Sequence, residues 1–210
     1  MLINDLIKEG WLKTSNIIEA FRKIKRVDFL PEDMKDLAEI NEALPIDYGQ
    51  TISQPLTVAF MLEQLAPERG DRILDVGAGS GWTAALLAEI VGLPAGRQGK
   101  VIAIDVIPEL VEFGKNNVAK YNFINKGIVE FICADGSKGH EKEAPYDKIL
   151  CSAAVQNKVP DEWKKQLKIN GRIVTPAGTS IFLLVKKSET EFAEKEYPGF
   201  AFVPLIEGQI

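Results

Sequence analysis

Histidine is almost missing from this chain: His140 is the only one among 210 residues. A two-histidine metal centre cannot be built from it. A Ser-His-Asp triad would have to use His140, and its surroundings, KGHEKEAP, contain nothing like a nucleophile elbow. That polar run makes His140 an expected exposed loop residue. Cysteine is nearly as scarce. Cys133 and Cys151 are the only two, and their spacing suits neither a disulfide framework nor a zinc site. Both fall in apolar, strand-like runs and are expected as buried free thiols, which fits a reducing cytoplasm. No apolar run approaches the ~20 residues of a membrane span. The N-terminal MLINDLIKEGW has no basic region followed by an apolar core, so no signal peptide is expected. Positive charge is not in excess either: 25 Lys and Arg stand against 30 Asp and Glu, a net charge of −5. Such a surface lacks the clustered cations that bind phosphate, which argues against nucleic acid as a partner. The densest basic stretch, Arg22 to Arg26, lies in an amphipathic pattern and reads as a solvated helix face.

What is present is an ordinary globular composition, 46% hydrophobic, enough for one sizeable core. The organisation expected is a single domain over 1–210. Residues 1–65 form a helical and loop region; residues 66–210 form a ligand-binding core with C-terminal strands. Leu2 to Phe29 reads as helical segments, with Ile17, Ile18, Phe21 and Ile24 at helical spacing. Asp33 to Glu42 reads as another helix, LPIDYGQTISQP as a loop, and Thr57 to Leu65 as a helix. From Asp71 the rhythm becomes βαβα: RILDV, a helix from about Ser80 to Val91, KVIAID, a helix from Pro108 to Tyr121, IVEFIC, DKILCSA, a helix around Asp161 to Leu167, and GRIVTPA. This predicts a mostly parallel sheet with helices on both faces. IFLLVKK, EFAEKEY and FAFVPL then follow without helices between them, as expected antiparallel strands at the sheet edge. GLPAGRQGK reads as a Gly/Pro-rich surface loop.

The densest chemistry lies at the end of the first of those strands, in Asp75-Val76-Gly77-Ala78-Gly79-Ser80-Gly81. Glycines there let the backbone turn sharply and let a ligand approach the main chain. The helix that follows presents free N–H groups. A dinucleotide fingerprint wants GxGxxG, whose third glycine allows close packing of helix on strand. Here the glycines fall as GxGxG, with an acid two residues before the first, so that spacing is not met. Asp105 ends the second strand, where a carboxylate accepts both ribose hydroxyl protons. It lies 28 residues after Gly77, beyond the ~20 usual for such an acid, and the GLPAGRQGK loop can absorb the excess. Asp135-Gly136 follows the third strand. Either acid alone also reads as a turn residue. Three acids at three successive strand ends fall on the ligand edge of an open α/β sheet.

The pattern D-x-G-x-G-x-G resembles the first motif of the class I S-adenosylmethionine-dependent methyltransferases. That resemblance implies a Rossmann-like fold and S-adenosyl-L-methionine as cofactor. Its aminoacid end would sit at Asp75, Gly77, Ala78, Gly79 and Ser80, its ribose at Asp105 with Val106 beside it, and its adenine amino group near Asp135 and Gly136. The preceding segment narrows the family. Leu44-Pro45-Ile46-Asp47-Tyr48-Gly49-Gln50-Thr51-Ile52-Ser53-Gln54-Pro55 resembles the protein-L-isoaspartate methyltransferase signature, a YGQTIS-like loop ahead of the glycine motif. Further matches follow in order: GSGWTAALLAEI, IPELVEFGKNN, ADGSKG, APYDKIL, QLKINGRIVTPAG and AFVPL. The resemblance covers roughly Phe29 to Leu205.

It implies methylation of the α-carboxylate of L-isoaspartyl residues in damaged proteins and peptides. The ester collapses to a succinimide that reopens partly to normal aspartate. Ser53 matches the family's active-site serine, with Thr51 and Ile52 in the same cofactor-side loop. A carboxylate with a pKa of roughly 3 to 4 is ionised at pH 7, so no general base is needed. Nor does the activated sulfonium methyl need a metal. Ser53 is therefore assigned to orienting the acceptor by hydrogen bonding; it also reads as an N-cap for the helix near Leu56. Trp82 reads as a wall of the adenosine pocket or as helix-to-sheet packing. Pro204 and Leu205 fall in the C-terminal family segment near the peptide-binding cleft.

The chain departs from the family pattern in three places. Leu56-Thr57-Val58 follows Pro55, where many relatives carry histidine. Ala177 to Phe182 lacks a glutamine-containing stretch, and the sequence ends soon after FVPL. These departures bear on acceptor affinity and sequence preference more than on the cofactor. Two other readings share the scaffold: a small-molecule methyltransferase, and a cofactor-binding relative that has lost catalysis. The expected partners are isoaspartyl-containing proteins and peptides, with no nucleic acid and no membrane. The expected form is a cytoplasmic monomer.

Overall fold

Near-continuous apolar runs in RILDV, KVIAID and YDKILC, buried on both faces, build the middle of a seven-stranded sheet. The computed structural model describes residues 2–92, 99–156 and 158–208; most of the GLPAGRQGK loop lies outside them. Helices α1 (Leu2–Lys8) and α2 (Ser15–Lys23) lead to a two-stranded hairpin, β1 (Leu44–Pro45) with β2 (Thr51–Ile52), and then α3 (Pro55–Leu65). The main sheet follows as β3 (Arg72–Val76), α4 (Trp82–Val91), β4 (Lys100–Asp105), α5 (Pro108–Ala119), β5 (Val129–Cys133), β6 (Tyr146–Cys151), α6 (Asp161–Gln166), β7 (Leu167–Ala177), β8 (Ser180–Lys186) and β9 (Phe192–Pro198). Its strand order is β5-β4-β3-β6-β7-β8-β9. The strands from β5 through β7 pair in parallel, and β8 and β9 add antiparallel.

Successive side chains of a strand point to opposite faces, and the core divides accordingly. Ile73, Val101, Ala103, Leu150 and Val174 pack with α2–α5 on one face. Leu74, Val76, Ile102, Ile104, Ile149 and Ile173 pack with Trp163 of α6 on the other. Helix α4, WTAALLAEIV, is buried almost all round, as an all-apolar helix must be. It lies between the sheet and α2, whose Phe21 meets Trp82 edge-on at 5.6 Å. The N-terminal segment is also fastened to α5. Tyr121 stacks on Phe29 at 5.8 Å and donates to Asp28 Oδ2 at 2.6 Å.

Several local expectations are corrected. The helix expected over Asp33 to Glu42 is only a 3-10 turn, Glu32–Leu37. The carbonyls of Ala38, Ile40 and Glu42, which a longer helix would have used internally, accept instead from the guanidinium of Arg26. Arg26 is therefore buried, not part of a solvated face. FAFVPL is not a strand. It runs extended past the ends of β6 and β7, bonded through Ala154 N–H to Val203 O and Leu205 N–H to Ala154 O at 2.8 Å each. Cys133 is exposed, because it ends the edge strand β5, whereas Cys151 in the central strand β6 is buried. His140 is half-buried; its backbone N–H donates to Gln166 Oε1 and its carbonyl accepts from Tyr146. Among the described residues no helix is long and apolar enough to cross a membrane.

Candidate active site

The C-terminal ends of β3, β4 and β6 open onto one cavity of about 720 Å³, the open solvent at its mouth included. Parallel strands put all those ends on the same side, and the order β4-β3-β6 places them next to one another. The β1–β2 hairpin covers the opening from one side through Ile46 and Gln50 to Ser53, and Val203 to Ile206 close it from another.

The glycine turn is built by conformations that side chains resist. Gly77, Gly79 and Gly81 have φ of +69°, +49° and +82°, and α4 begins only after Gly81, at Trp82. A Cβ on Gly81 would stand 2.8 Å from Gly114 O and 2.9 Å from Val118 Cγ2. The third glycine thus lets α4 approach α5 closely.

Asp105 is 9% exposed. Its carboxylate accepts from Gly79 N–H at 2.9 Å and Ile107 N–H at 3.1 Å. Burial raises its pKa above the ordinary carboxylate value, against the opposing effect of these backbone donors. A carboxylate offers about four lone-pair sites, so two fixed N–H donors aim it and leave capacity for two hydroxyls from the cavity.

Asp75 is fully buried and does not reach the cavity wall. Thr83 Oγ1 donates to its Oδ2 at 2.8 Å, while its Oδ1 is buried without a partner. Burial pushes the Asp75 carboxyl up to about 7, with the Thr83 hydroxyl opposing and Asp105 adding to the rise. In the unfolded chain this group loses its proton near ~3.9. Between those values the unfolded state binds fewer protons, so stability falls as pH rises from about 4 to 7. Denaturant titrations without added cofactor at several pH values in that window are expected to show a shallower decline for Asp75→Asn than for the wild-type chain. Equal slopes would assign the pH dependence to other groups.

Ser53 is partly exposed on the cavity wall, and among the described residues its hydroxyl makes no hydrogen bond. It is not the cap of α3. Gln54 occupies that position, Pro55 begins the helix, and Asn41 Oδ1 accepts from Leu56 N–H at 3.0 Å from outside the helix. The Ser53 carbonyl accepts from Arg26 Nη2 at 3.3 Å. Trp82 lines the cavity, and its ring lies 5.5 Å from the Arg26 guanidinium.

Of the residues singled out in the sequence, Thr51, Ile52, Ser53, Gly77, Ala78, Gly79, Ser80, Asp105, Val106 and Gly136 all line this cavity. Asp75 and Asp135 do not. Asp135 turns its carboxylate to its own chain: Ser137 donates to Oδ1, and Gly208 N–H to Oδ2 at 3.0 Å. Pro204 and Leu205 line the wall, as do Ser152 and Ala153 after β6. The strand-end reasoning applied to the first three strands, carried one strand further, finds Ser152. Arg26 and Asn41 gave no sequence signal, since their partners lie 12 to 27 and 15 residues away.

This sheet, with its glycine turn and Asp105 on one cavity wall, is a Rossmann-like class I methyltransferase fold. A Plasmodium falciparum chain, assigned as a protein-L-isoaspartate O-methyltransferase and solved with S-adenosyl-L-homocysteine, superposes with a TM-score of 0.88. It is 21% identical, over 99% of this chain and 97% of that one. A second solved protein-L-isoaspartate O-methyltransferase gives 0.85 at 28% identity, covering 99% of this chain and 65% of the other. The family model for protein-L-isoaspartate(D-aspartate) O-methyltransferase matches residues 1–210. Protein-L-isoaspartate O-methyltransferase of Methanopyrus kandleri is 40% identical over 98% of this chain and 89% of its own. Protein-L-isoaspartate O-methyltransferase 2 of Archaeoglobus fulgidus is 45% identical over 90% and 84%. The chain belongs to the protein-L-isoaspartate(D-aspartate) O-methyltransferase family.

Proposed function

We propose that this protein methylates the α-carboxylate of L-isoaspartyl residues in damaged proteins and peptides, using S-adenosyl-L-methionine. The observation that carries the reading is that one cavity joins the glycine turn and Asp105 to the Thr51–Ser53 arm of the hairpin. The residues fit such a cofactor. Asp105 is held with unused acceptor capacity on the cavity wall, and the buried Asp75 Oδ1 has no partner. The cofactor supplies an already activated methyl group on a sulfonium centre.

What the chain does is binding and alignment. Gly77, Ala78, Gly79 and Ser80 form the wall at the aminoacid end, with Asp75 behind them. Asp105 accepts ribose hydroxyls, with Val106 beside it. Gly136 borders the adenine end; Asp135 supports it from outside the cavity wall through the Ser137 and Gly208 contacts. Thr51, Ile52 and Ser53 border the reacting end. The acceptor α-carboxylate is already ionised at pH 7, so Ser53 has no proton to remove. Its hydroxyl donates to one acceptor oxygen and turns the other toward the methyl group. In-line positioning of two reactants in a closed site can supply ~7–11 kcal/mol of barrier reduction. Residues 1–65 bring the hairpin loop, which borders both cofactor and acceptor, and residues 66–210 the glycine turn and strand-end acids, within one domain. The reading includes a cytoplasmic monomer with neither nucleic acid nor membrane as partner; the net charge of −5 bears on the nucleic acid alone.

The test is transfer of labelled methyl to two peptides identical except for an isoaspartyl or a normal aspartyl residue. Base-labile label on the isoaspartyl peptide alone is expected. Ser53→Ala is expected to lower kcat by ~10-fold, the value of one orienting hydrogen bond of ~1.4 kcal/mol, with cofactor affinity retained. Label on neither peptide despite cofactor binding would return the acceptor to the small-molecule class. An unchanged kcat/KM in Ser53→Ala would remove the serine from the mechanism.

A further inference from the structure

The turn between β1 and β2 places three successive residues in the left-handed region: Asp47 at φ +73°, Tyr48 at +53° and Gly49 at +69°. Glycine adopts such angles readily and aspartate tolerates them; a tyrosine there is uncommon and strained. The hairpin closes around it, with Ile46 N–H donating to Gln50 O and Gln50 N–H to Asp47 O. Folding gains little from the ring in return. Tyr48 is 56% exposed, the most exposed of the large apolar side chains at the described surface. A bulky aromatic held in a strained conformation and left in water points to a use outside the fold. The arms of this same hairpin supply Ile46, Gln50, Thr51, Ile52 and Ser53 to the cavity wall, and the turn between those arms carries the ring.

We propose that Tyr48 is a specificity-determining residue: its ring packs against the side chain adjacent to the isoaspartyl site of the acceptor polypeptide. The inference rests on the proposed isoaspartyl methyltransfer. A tyrosine ring offers a large contact area at small conformational cost, and its flat face favours apolar or planar neighbours over glycine. Tyr48 thus extends recognition beyond the reacting carboxylate, from the damaged residue to its flanks. It does not touch the reacting atoms, so its loss appears in KM and not in turnover.

Two isoaspartyl peptides test this, one flanked on both sides by leucine and one by glycine. The wild-type protein is expected to prefer the leucine peptide by ~10-fold in kcat/KM, the worth of partial burial of an apolar side chain. In Tyr48→Ala that preference should fall to within ~2-fold, by a rise in KM for the leucine peptide at nearly constant kcat and unchanged cofactor affinity. Tyr48→Phe should keep the preference. Tyr48→Asn, which suits the left-handed backbone, serves as the second variant should the alanine chain misfold. Ile169→Ala removes another exposed apolar side chain, 51% exposed and away from the cavity, and should leave the preference intact. Equal preference in wild type and Tyr48→Ala would overturn the proposal, as would a variant losing kcat on both peptides alike. Absence of wild-type activity on either peptide would instead overturn the isoaspartyl reading itself.

Discussion

Arg26→Met is expected to destabilise the protein by ~3–5 kcal/mol, since four partly buried carbonyls lose a charged donor, each bond worth roughly 1 kcal/mol. The guanidinium is 6% exposed and donates to the carbonyls of Ala38, Ile40, Glu42 and Ser53 at 2.7–3.3 Å. Burial lowers its pKa to about 10, so keeping it charged there has a cost. The acceptors outweigh that cost. Each carbonyl left without a donor in a partly buried site loses ~1 kcal/mol or more. Methionine fills the volume and still packs on Trp82, which separates the loss of hydrogen bonds from the loss of bulk. Arg26→Lys should cost roughly half as much, since a point ammonium cannot reach all four oxygens. Because the Ser53 carbonyl is among them, kcat should fall in both variants further than stability alone explains. Urea unfolding gives the first quantity, and initial rates well below the unfolding midpoint give the second. A loss under ~1 kcal/mol in Arg26→Met would mean the loop holds itself, contrary to the geometry.

Gly81→Ala is the second large effect. The substitution adds a left-handed strain of ~1–2 kcal/mol to an overpacking cost of ~1–3 kcal/mol, because the new methyl would press on Gly114 O and Val118 Cγ2. Relief requires α4 and α5 to part, and the contact is tight from the other side too, since a Cβ on Gly114 would stand 2.6 Å from Gly79 O. The turn that holds Gly79 N–H on Asp105 then shifts, so cofactor affinity should drop at least ~10-fold along with stability. Gly178→Ala supplies the contrast. Gly178 has φ +56° and nothing within 4 Å of its Cβ position, so it should show the strain alone. Calorimetry with S-adenosylhomocysteine and thermal melts on the two variants separate clash from strain. Equal losses in both would show that the α4–α5 contact accommodates a methyl group.

The repetitive core was legible because its signals are local. RILDV, KVIAID and DKILCSA announce parallel strands by composition, and the glycines with the acids at strand ends mark the ligand edge of such a sheet. Helix boundaries moved by one or two residues, as caps and frayed turns do. The hairpin hidden in LPIDYGQTISQP escaped detection because its two-residue strands are too short to show a period. The 3-10 turn that replaced the expected Asp33–Glu42 helix escaped for another reason: its carbonyls answer to a guanidinium up to 16 residues back.

The sequence by itself determined the class of fold, the glycine turn, the strand-end acids and the family, since each depends on residue type at short spacing. Only the tertiary structure decided which acid faces the cavity. Asp105 and Asp135 both follow parallel strands, but one carboxylate is aimed into the cavity by Gly79 and Ile107 N–H. The other is taken by Ser137 and Gly208. The tertiary structure alone also turned Arg26 inward beneath the Ser53 loop and left Tyr48 standing in water. The physical reason is common to all of these. A polar side chain goes where its hydrogen-bonding partners are, and those partners are brought together by strand order and helix packing, not by distance along the chain.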